Sequence, residues 1–111
     1  MKIKYLPKEN AEYLYKLLEI IQTMQPDIWF KVYDDQMEFV YKGSDIVELI
    51  EEIDGIDSNF EIYCYKNNKS DKKAGLGWFF ITPWEERDCL VCDYIDNQFC
   101  NDVIERLKED E

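Results

Sequence analysis

Residues 45–66, DIVELIEEIDGIDSNFEIYCYK, contain the change in hydrophobic period that decides the fold. The first half carries apolar residues at the three-to-four-residue spacing of one helical face: Ile46, Leu49, Ile50 and Ile53. Asp45 with Glu48 three residues later is typical of a helix N-terminus, and Gly55 is typical of a helix end. From Phe60 onwards apolar and polar residues alternate, which predicts a β-strand. The stretch therefore predicts a helix followed by a strand.

The sequence before this stretch predicts a helix and a hairpin. Between residues 8 and 24 the apolar residues form one stripe at helical spacing, and Pro26 ends the predicted helix. Residues 28–33 and 37–41 are rich in aromatic and β-branched side chains, so they are predicted as two strands joined by a short acidic turn. Residues 1–6 are predicted as a short strand or a lead-in.

The sequence after this stretch predicts two strands and a last helix. The polar residues 67–75 are predicted as a loop, and residues 77–82 and 89–94 as strands separated by a short charged turn. Asp96 or Asn97 is predicted to cap the last helix. The apolar stripe of that helix consists of Phe99, Val103, Ile104 and Leu107.

Together these elements predict an α+β fold in a single acidic domain that spans residues 1–111. The predicted order is (β)αββαβββα, because runs of strands alternate with single helices. Short links between the strands predict a mostly antiparallel sheet of about four to five strands. About three helices are expected to lie mainly on one face of that sheet.

The predicted strands carry aromatic residues on both faces. Trp29 and Tyr33 in one strand, and Tyr63 and Tyr65 in another, alternate with residues predicted for the core. One interpretation is ordinary aromatic pairing between neighbouring strands. A second is a contact surface for another protein, since Tyr and Trp anchor interfaces. A third is a homodimer formed through the open face.

The composition excludes several classes of function. The chain has 13 Lys plus Arg against 25 Asp plus Glu, a formal net charge of −12, and no histidine. Catalysis by Ser-His or Cys-His pairs is therefore impossible. The shortage of Lys and Arg argues against direct binding of nucleic acid or of an anionic membrane. Three Trp, eight Tyr and six Phe predict a folded chain, since disordered acidic chains have few aromatics.

The negative charge is concentrated in two acidic blocks. Residues 43–65 carry seven acidic and no basic side chains, and residues 77–111 carry ten acidic and three basic ones. Residues 66–76 between them carry four basic side chains and one acidic one. Such a distribution repels itself and attracts basic partners. The alternative is a solvated surface that serves only solubility.

No catalytic or metal-binding constellation is recognisable. A strand would point the two side chains of the Cys89-x-x-Cys92 pair to opposite faces, which disfavours a zinc or redox site. Cys64, Cys89, Cys92 and Cys100 are therefore predicted to be buried free thiols. No P-loop or dinucleotide-binding glycine motif is present. We expect no enzymatic activity, no metal and no cofactor.

Two negative observations bear on localisation. The sequence has no apolar run of about 18 residues and no signal-peptide pattern near Met1. We therefore expect a cytoplasmic protein that does not bind membranes and whose cysteines are reduced.

In size, charge and lack of catalytic residues, the chain resembles phage anti-defence proteins, such as anti-CRISPR proteins and anti-restriction DNA mimics. It is also similar in character to bacterial immunity proteins that neutralise nuclease toxins. The resemblance implies a small acidic inhibitor of a nuclease or nucleic-acid-binding effector, acting as a partial DNA mimic. A self-associating structural or regulatory module is the alternative from another class.

The residues predicted to contact the basic partner come from both acidic blocks and include one aromatic anchor. They are Glu48, Glu51, Glu52, Asp54, Asp57, Trp84, Glu85, Glu86 and Asp88. Glu48, Glu51, Glu52 and Asp54 are expected on the solvent side of their helix, away from its apolar stripe.

Overall fold

The computed structural model describes residues 1–66 and 75–109 and shows three helices and five strands. The helices are α1 (Lys8–Met24), α2 (Ile46–Ile53) and α3 (Gln98–Glu109). The strands are β1 (Ile28–Asp34), β2 (Phe39–Gly43), β3 (Phe60–Lys66), β4 (Gly75–Ile81) and β5 (Val91–Tyr94). The order α-β-β-α-β-β-β-α and the antiparallel sheet confirm the predicted α+β class.

The sheet has the strand order β2-β1-β3-β4-β5, and every neighbouring pair is antiparallel. The β1–β3 ladder is the longest, running without a break from Ile28 opposite Lys66 to Asp34 opposite Phe60. Helix α2 connects β2 to β3, so β3 can lie beside β1 rather than beside β2. The two long ladders of β3 place it at the centre of the sheet.

The helices pack on one face of the sheet and form the core with it. Phe30, Phe60 and Phe79 of β1, β3 and β4 are fully buried and belong to the same apolar cluster as the helical stripes. Gly77 allows α3 to approach β4, because a Cβ atom there would lie 2.6 Å from the Cys100 Sγ atom. Burial of this face follows the predicted alternation along β1 and β3.

The opposite face of the sheet, here called the open face, is rich in aromatic residues. Its residues are Trp29, Lys31, Tyr33, Phe39, Lys42, Glu61, Tyr63, Tyr65, Trp78, Phe80 and Asp93. The Tyr33 ring makes edge contacts with Phe39 (6.2 Å between centroids) and with Tyr63 (5.8 Å). Phe39 nevertheless keeps 59% of its surface exposed. Cross-strand pairing therefore orders these rings without burying all of them.

Several predicted boundaries are confirmed, and others are wrong. α1 and β3 have the predicted limits, and residues 1–6 are a lead-in rather than a strand. β2 begins at Phe39 instead of residue 37, since Met37 adopts a positive φ of 62° within the turn. β4 covers Gly75–Ile81 instead of residues 77–82. Most of the predicted loop over residues 67–75 lies outside the described residues.

Polar side chains cap two of the helices. The Asp45 carboxylate accepts the N–H groups of Val47 and Glu48 at 3.1 Å each, as the sequence predicted. For α3, the structure selects Asn97 over Asp96, because Asn97 Oδ1 accepts the Cys100 N–H at 2.8 Å. Over the part of the chain that the structure describes, no helix combines the length and the apolar character needed to cross a membrane.

A candidate partner-binding site

A shallow depression of about 460 Å³ lies between residues of the first acidic block and Trp84, which belongs to the second. It is lined by residues from the lead-in, from the end of α2 and from the connection between β4 and β5. These residues, here called the Trp84 depression, are Tyr5, Asp54, Gly55, Ile56, Asp57 and Trp84. Tyr5 is 65% exposed and Trp84 is 45% exposed, so two aromatic side chains offer their surfaces next to the Asp57 carboxylate.

Asp54 was predicted to face solvent, and this prediction is wrong. Its side chain is 5% exposed, and its carboxylate accepts the backbone N–H groups of Lys4 at 2.7 Å, Tyr5 at 3.0 Å and Leu6 at 2.9 Å. Asp54 follows Ile50 by four residues, so it continues the apolar stripe of α2. Its role is to fasten the lead-in to α2, which places Tyr5 in the Trp84 depression.

The hydrogen bonds to Asp54 favour its ionised form. Burial alone would raise the pKa of Asp54, but the N–H groups of Leu6, Lys4 and Tyr5 and the positive charge of Lys4 outweigh it. The pKa is therefore held below its ordinary value. The floor of the depression remains negatively charged at neutral pH.

Trp84 lies in the connection between β4 and β5, and a buried residue of α1 fixes this connection. The Asn10 side chain, 3% exposed, donates to the carbonyl oxygens of Pro83 at 2.8 Å and Glu85 at 3.0 Å. Asn10 is not among the residues predicted from the sequence. A signal existed, because Asn10 precedes Leu14 by four residues and so occupies the apolar stripe of α1.

Further contacts close residues 82–90 into a compact unit, here called the Trp84 turn. The Thr82 N–H donates to the Leu90 carbonyl at 2.8 Å, and the Thr82 hydroxyl donates to the Cys89 carbonyl at 2.6 Å. The Arg87 guanidinium lies 5.6 Å from the ring centre of Tyr13 on α1. These contacts explain why β5 begins at Val91 rather than at the predicted residue 89.

Replacement of Asn10 by alanine is expected to loosen the Trp84 turn. The change removes both hydrogen bonds and leaves two carbonyl groups to find water, so we expect the free energy of unfolding to fall by about 2 kcal/mol. Urea denaturation followed by fluorescence would measure it. Glu9→Ala, at an exposed neighbouring position, serves as the control. An equal loss in both variants would contradict the role of Asn10.

The remaining predicted contact residues fall into three groups relative to the depression. Asp57 lines it directly, and Glu85, Glu86 and Asp88 are exposed on the Trp84 turn beside it. On α2, Glu48 and Glu52 are exposed, whereas Glu51 is partly buried and accepts the Lys2 N–H at 2.7 Å. Glu48 lies in the first turn of α2, at the opposite end of this helix from the depression.

The four cysteines divide into two pairs by exposure. Cys64 and Cys100 are buried as predicted, whereas Cys89 and Cys92 are exposed, so the prediction is wrong for these two. Burial raises the pKa of the Cys64 thiol. Local desolvation, followed by the charges of Asp88, Glu86 and Glu85, raises the pKa of Cys89. Within residues 1–66 and 75–109, no group of three or more Cys, Asp or Glu side chains is arranged to hold a metal ion.

Thiol labelling is expected to separate these pairs. In native protein at pH 8, a disulfide reagent should modify Cys89 and Cys92. Because the pKa of Cys89 is raised, only a small fraction of this residue is thiolate at pH 8, so its reaction should continue to accelerate as the pH rises further. Cys64 and Cys100 should react only after addition of guanidinium chloride. Rapid native labelling of all four thiols would contradict the packing of α3 on the sheet.

Comparison of the chain with protein-family models, with curated proteins and with solved structures finds no match. The chemistry of the site is the combination of an exposed tryptophan, an exposed tyrosine and surrounding carboxylates. Such a surface can stack on guanidinium groups and pair with cationic side chains.

Proposed function

We propose that the protein is a small acidic inhibitor that binds a basic surface of a nucleic-acid-handling protein. The observation that carries this proposal is the fixed position of Trp84. Asn10 holds the turn on both sides of this residue, through the carbonyl groups of Pro83 and Glu85. An aromatic anchor and its flanking carboxylates are thus in place before any partner arrives.

Preorganisation matters because association costs the ordering of side chains and loops at the interface. In the Trp84 turn, that ordering is already provided by hydrogen bonds within the protein. A central aromatic residue with charged groups around it also matches the usual anatomy of an interface, which has an apolar centre and a polar rim. Asp57 and Glu85 would form part of the charged surround.

The charge density supports a partial DNA mimic. The molecule measures 34 Å along its longest axis and carries a net charge of −12. A DNA strand of that length has about ten phosphates at ~3.4 Å each. The protein could therefore occupy part of a channel that binds one nucleic-acid strand. Defence nucleases and nuclease toxins both have such basic surfaces. The same mode of binding would therefore serve an anti-CRISPR protein, an anti-restriction protein or an immunity protein.

Affinity capture with paired baits tests the proposal. Wild-type protein and the Trp84→Ala variant would be immobilised and exposed to lysate from the source cells at 50 mM and 500 mM salt. We expect the wild type to retain a basic nucleic-acid-handling protein at 50 mM salt, with much less retained by the variant or at 500 mM.

The captured partner would then be purified and tested for nucleic-acid binding in the presence of the acidic protein. Competition between the two is the expected result, because both would use the same basic surface. The proposal fails if the partner binds nucleic acid and the acidic protein at the same time. It also fails if the retained partner is acidic or is retained equally well by the Trp84→Ala variant.

A further inference from the structure

We propose that the Trp84 depression receives one arginine side chain of the partner protein, with the guanidinium group between the Trp84 and Tyr5 rings. This inference rests on the proposed function and adds to it the residue type that the partner places in the depression. Three features support it: two separate aromatic rings, a negative charge without a paired cation, and open space at Gly55.

Two exposed aromatic rings border the depression from different segments of the chain. Tyr5 belongs to the lead-in, which the Asp54 carboxylate holds, and Trp84 belongs to the Trp84 turn, which Asn10 holds. Within the described residues no ring contact joins Tyr5 to Trp84, although both line the same depression. A flat group can therefore enter between them without first separating a stacked pair.

Two carboxylates make the depression negative. Asp57 is exposed, whereas Asp54 is buried and accepts only backbone N–H groups, which carry no net charge. The Lys4 charge acts on Asp54 from beyond ion-pair distance, and in the described part of the chain neither carboxylate forms an ion pair with Lys or Arg. Because buried charges in proteins are usually paired, a cationic side chain of the partner would complete this site.

The combination of rings and carboxylates favours guanidinium over ammonium. A guanidinium group is planar and weakly hydrated, so it can stack on an aromatic face while its N–H groups donate to a carboxylate. An ammonium group is compact and strongly hydrated, and it loses more than it gains on leaving water for a shallow site. We therefore expect stacking on Trp84 together with hydrogen bonds to Asp57.

Gly55 leaves open space at the depression that it lines. A Cβ atom built at this position would meet no heavy atom within 4 Å, and the φ of Gly55 is not in the left-handed region. A larger side chain can therefore be introduced here without a clash or backbone strain. Gly55→Leu is thus a variant that should fill the depression while the fold stays intact.

Titration with blocked single residues tests the inference on the protein alone. N-acetyl-arginine amide and N-acetyl-lysine amide have the same charge, and each is added at constant ionic strength while NMR follows the indole N–H signals of the three tryptophans. Trp84→Ala assigns the Trp84 signal. We expect the arginine amide to shift it with a Kd of about 1–10 mM, and the lysine amide to bind at least about fivefold more weakly. The signals of Trp29 and Trp78, on the open face, should stay in place.

Two variants locate the binding on the depression. Gly55→Leu should weaken binding of the arginine amide about tenfold or more, with circular dichroism confirming that it folds. Asp57→Asn should weaken binding about fivefold, whereas Glu105→Gln, which removes the same charge at an exposed position on α3, should leave it unchanged. Equal binding of the two amides, or undiminished arginine binding by folded Gly55→Leu, would overturn the inference.

The arginine assignment and the proposed function can fail separately. If the wild-type bait retains no basic partner, the proposed function fails, and the titration still decides whether the depression binds guanidinium. If a partner is retained through Trp84 but the arginine amide leaves the Trp84 signal in place, the inhibitor proposal stands and the arginine assignment is wrong. Release of the retained partner by the arginine amide, and not by the lysine amide at equal ionic strength, is the result expected when both hold.

Discussion

Asp54→Ala is expected to lower the free energy of unfolding by about 3 kcal/mol. The carboxylate accepts three backbone N–H groups of the lead-in, and hydrogen bonds to a charged acceptor contribute about 1.5–3 kcal/mol each. The total is reduced because the N–H groups of Lys4 and Tyr5 can reach water once released. Since small domains unfold at about 5–15 kcal/mol, this single side chain supports a large share of stability. Urea denaturation gives the value directly.

Asp54→Asn separates charge from shape. The amide keeps an oxygen for Tyr5 and Leu6 but turns an N–H group towards the Lys4 N–H, so we expect a loss of about 2 kcal/mol. Asp57→Asn, at an exposed position three residues later, should change stability by less than about 0.5 kcal/mol. Equal effects at positions 54 and 57 would show that the lead-in is not held as described.

The pH dependence has a defined sign. The pKa of Asp54 is lowered in the folded state, so its stabilising contribution is fully present above its unfolded pKa of about 3.9. That contribution is lost as the pH falls through the lower, folded-state pKa. The stability difference between wild type and Asp54→Asn should therefore be constant from about pH 5 to 8 and shrink below about pH 4. A difference that grows on acidification would contradict the lowered pKa.

The triple variant Glu85→Lys, Glu86→Lys, Asp88→Lys is expected to weaken binding of the captured partner by at least about 100-fold. All three side chains are exposed on the Trp84 turn, so their reversal replaces attraction with repulsion at one place on the interface. Reversal changes the net charge by six units, from −12 to −6. Biolayer interferometry against the purified partner at 50 mM salt measures the effect.

A matched control tests whether position or total charge matters. Reversal of Asp35, Glu105 and Glu109 to lysine produces the same net charge at exposed sites on the β1–β2 turn and on α3. We expect this control to bind within about fivefold of the wild type, because rim or distant charges change affinity little. If both triple variants lose affinity equally, the partner senses overall charge, and the Trp84 turn is not the contact.

The local sequence pattern was sufficient to predict where a helix or strand begins and ends wherever a single spacing of apolar residues dominates. α1 and β3 have their predicted limits because their apolar residues follow a single spacing and turn-forming residues flank them. β2 begins later than predicted because the turn takes more residues: the Asp34 carboxylate accepts the N–H groups of Gln36 and Glu38 at 2.9 Å each. These hydrogen bonds from the backbone to the Asp34 side chain depend on side-chain geometry, which hydrophobic periodicity does not describe.

The exposure of the cysteines shows the same limit. The sequence predicts a strand that begins at Cys89, but Thr82 donates hydrogen bonds to the carbonyl groups of Cys89 and Leu90 and holds them in a turn. Cys89 is therefore exposed together with Cys92. An apolar dipeptide between two cysteines does not by itself distinguish a strand from the end of a turn.

The sequence by itself determined the order of elements, the core faces of β1 and β3 and the division of charge into two blocks, because each depends on neighbours within a few residues. Only the tertiary structure decided that Asp54 is buried, that Asn10 fixes the Trp84 turn, and that Asp57 and Trp84 share a depression. The hydrogen bonds of Asp54 and Asn10 join residues 48 to 75 positions apart, and Asp57 and Trp84 are 27 positions apart in the sequence. Local spacing carries no information on such pairs, since they meet only after the sheet and helices have packed.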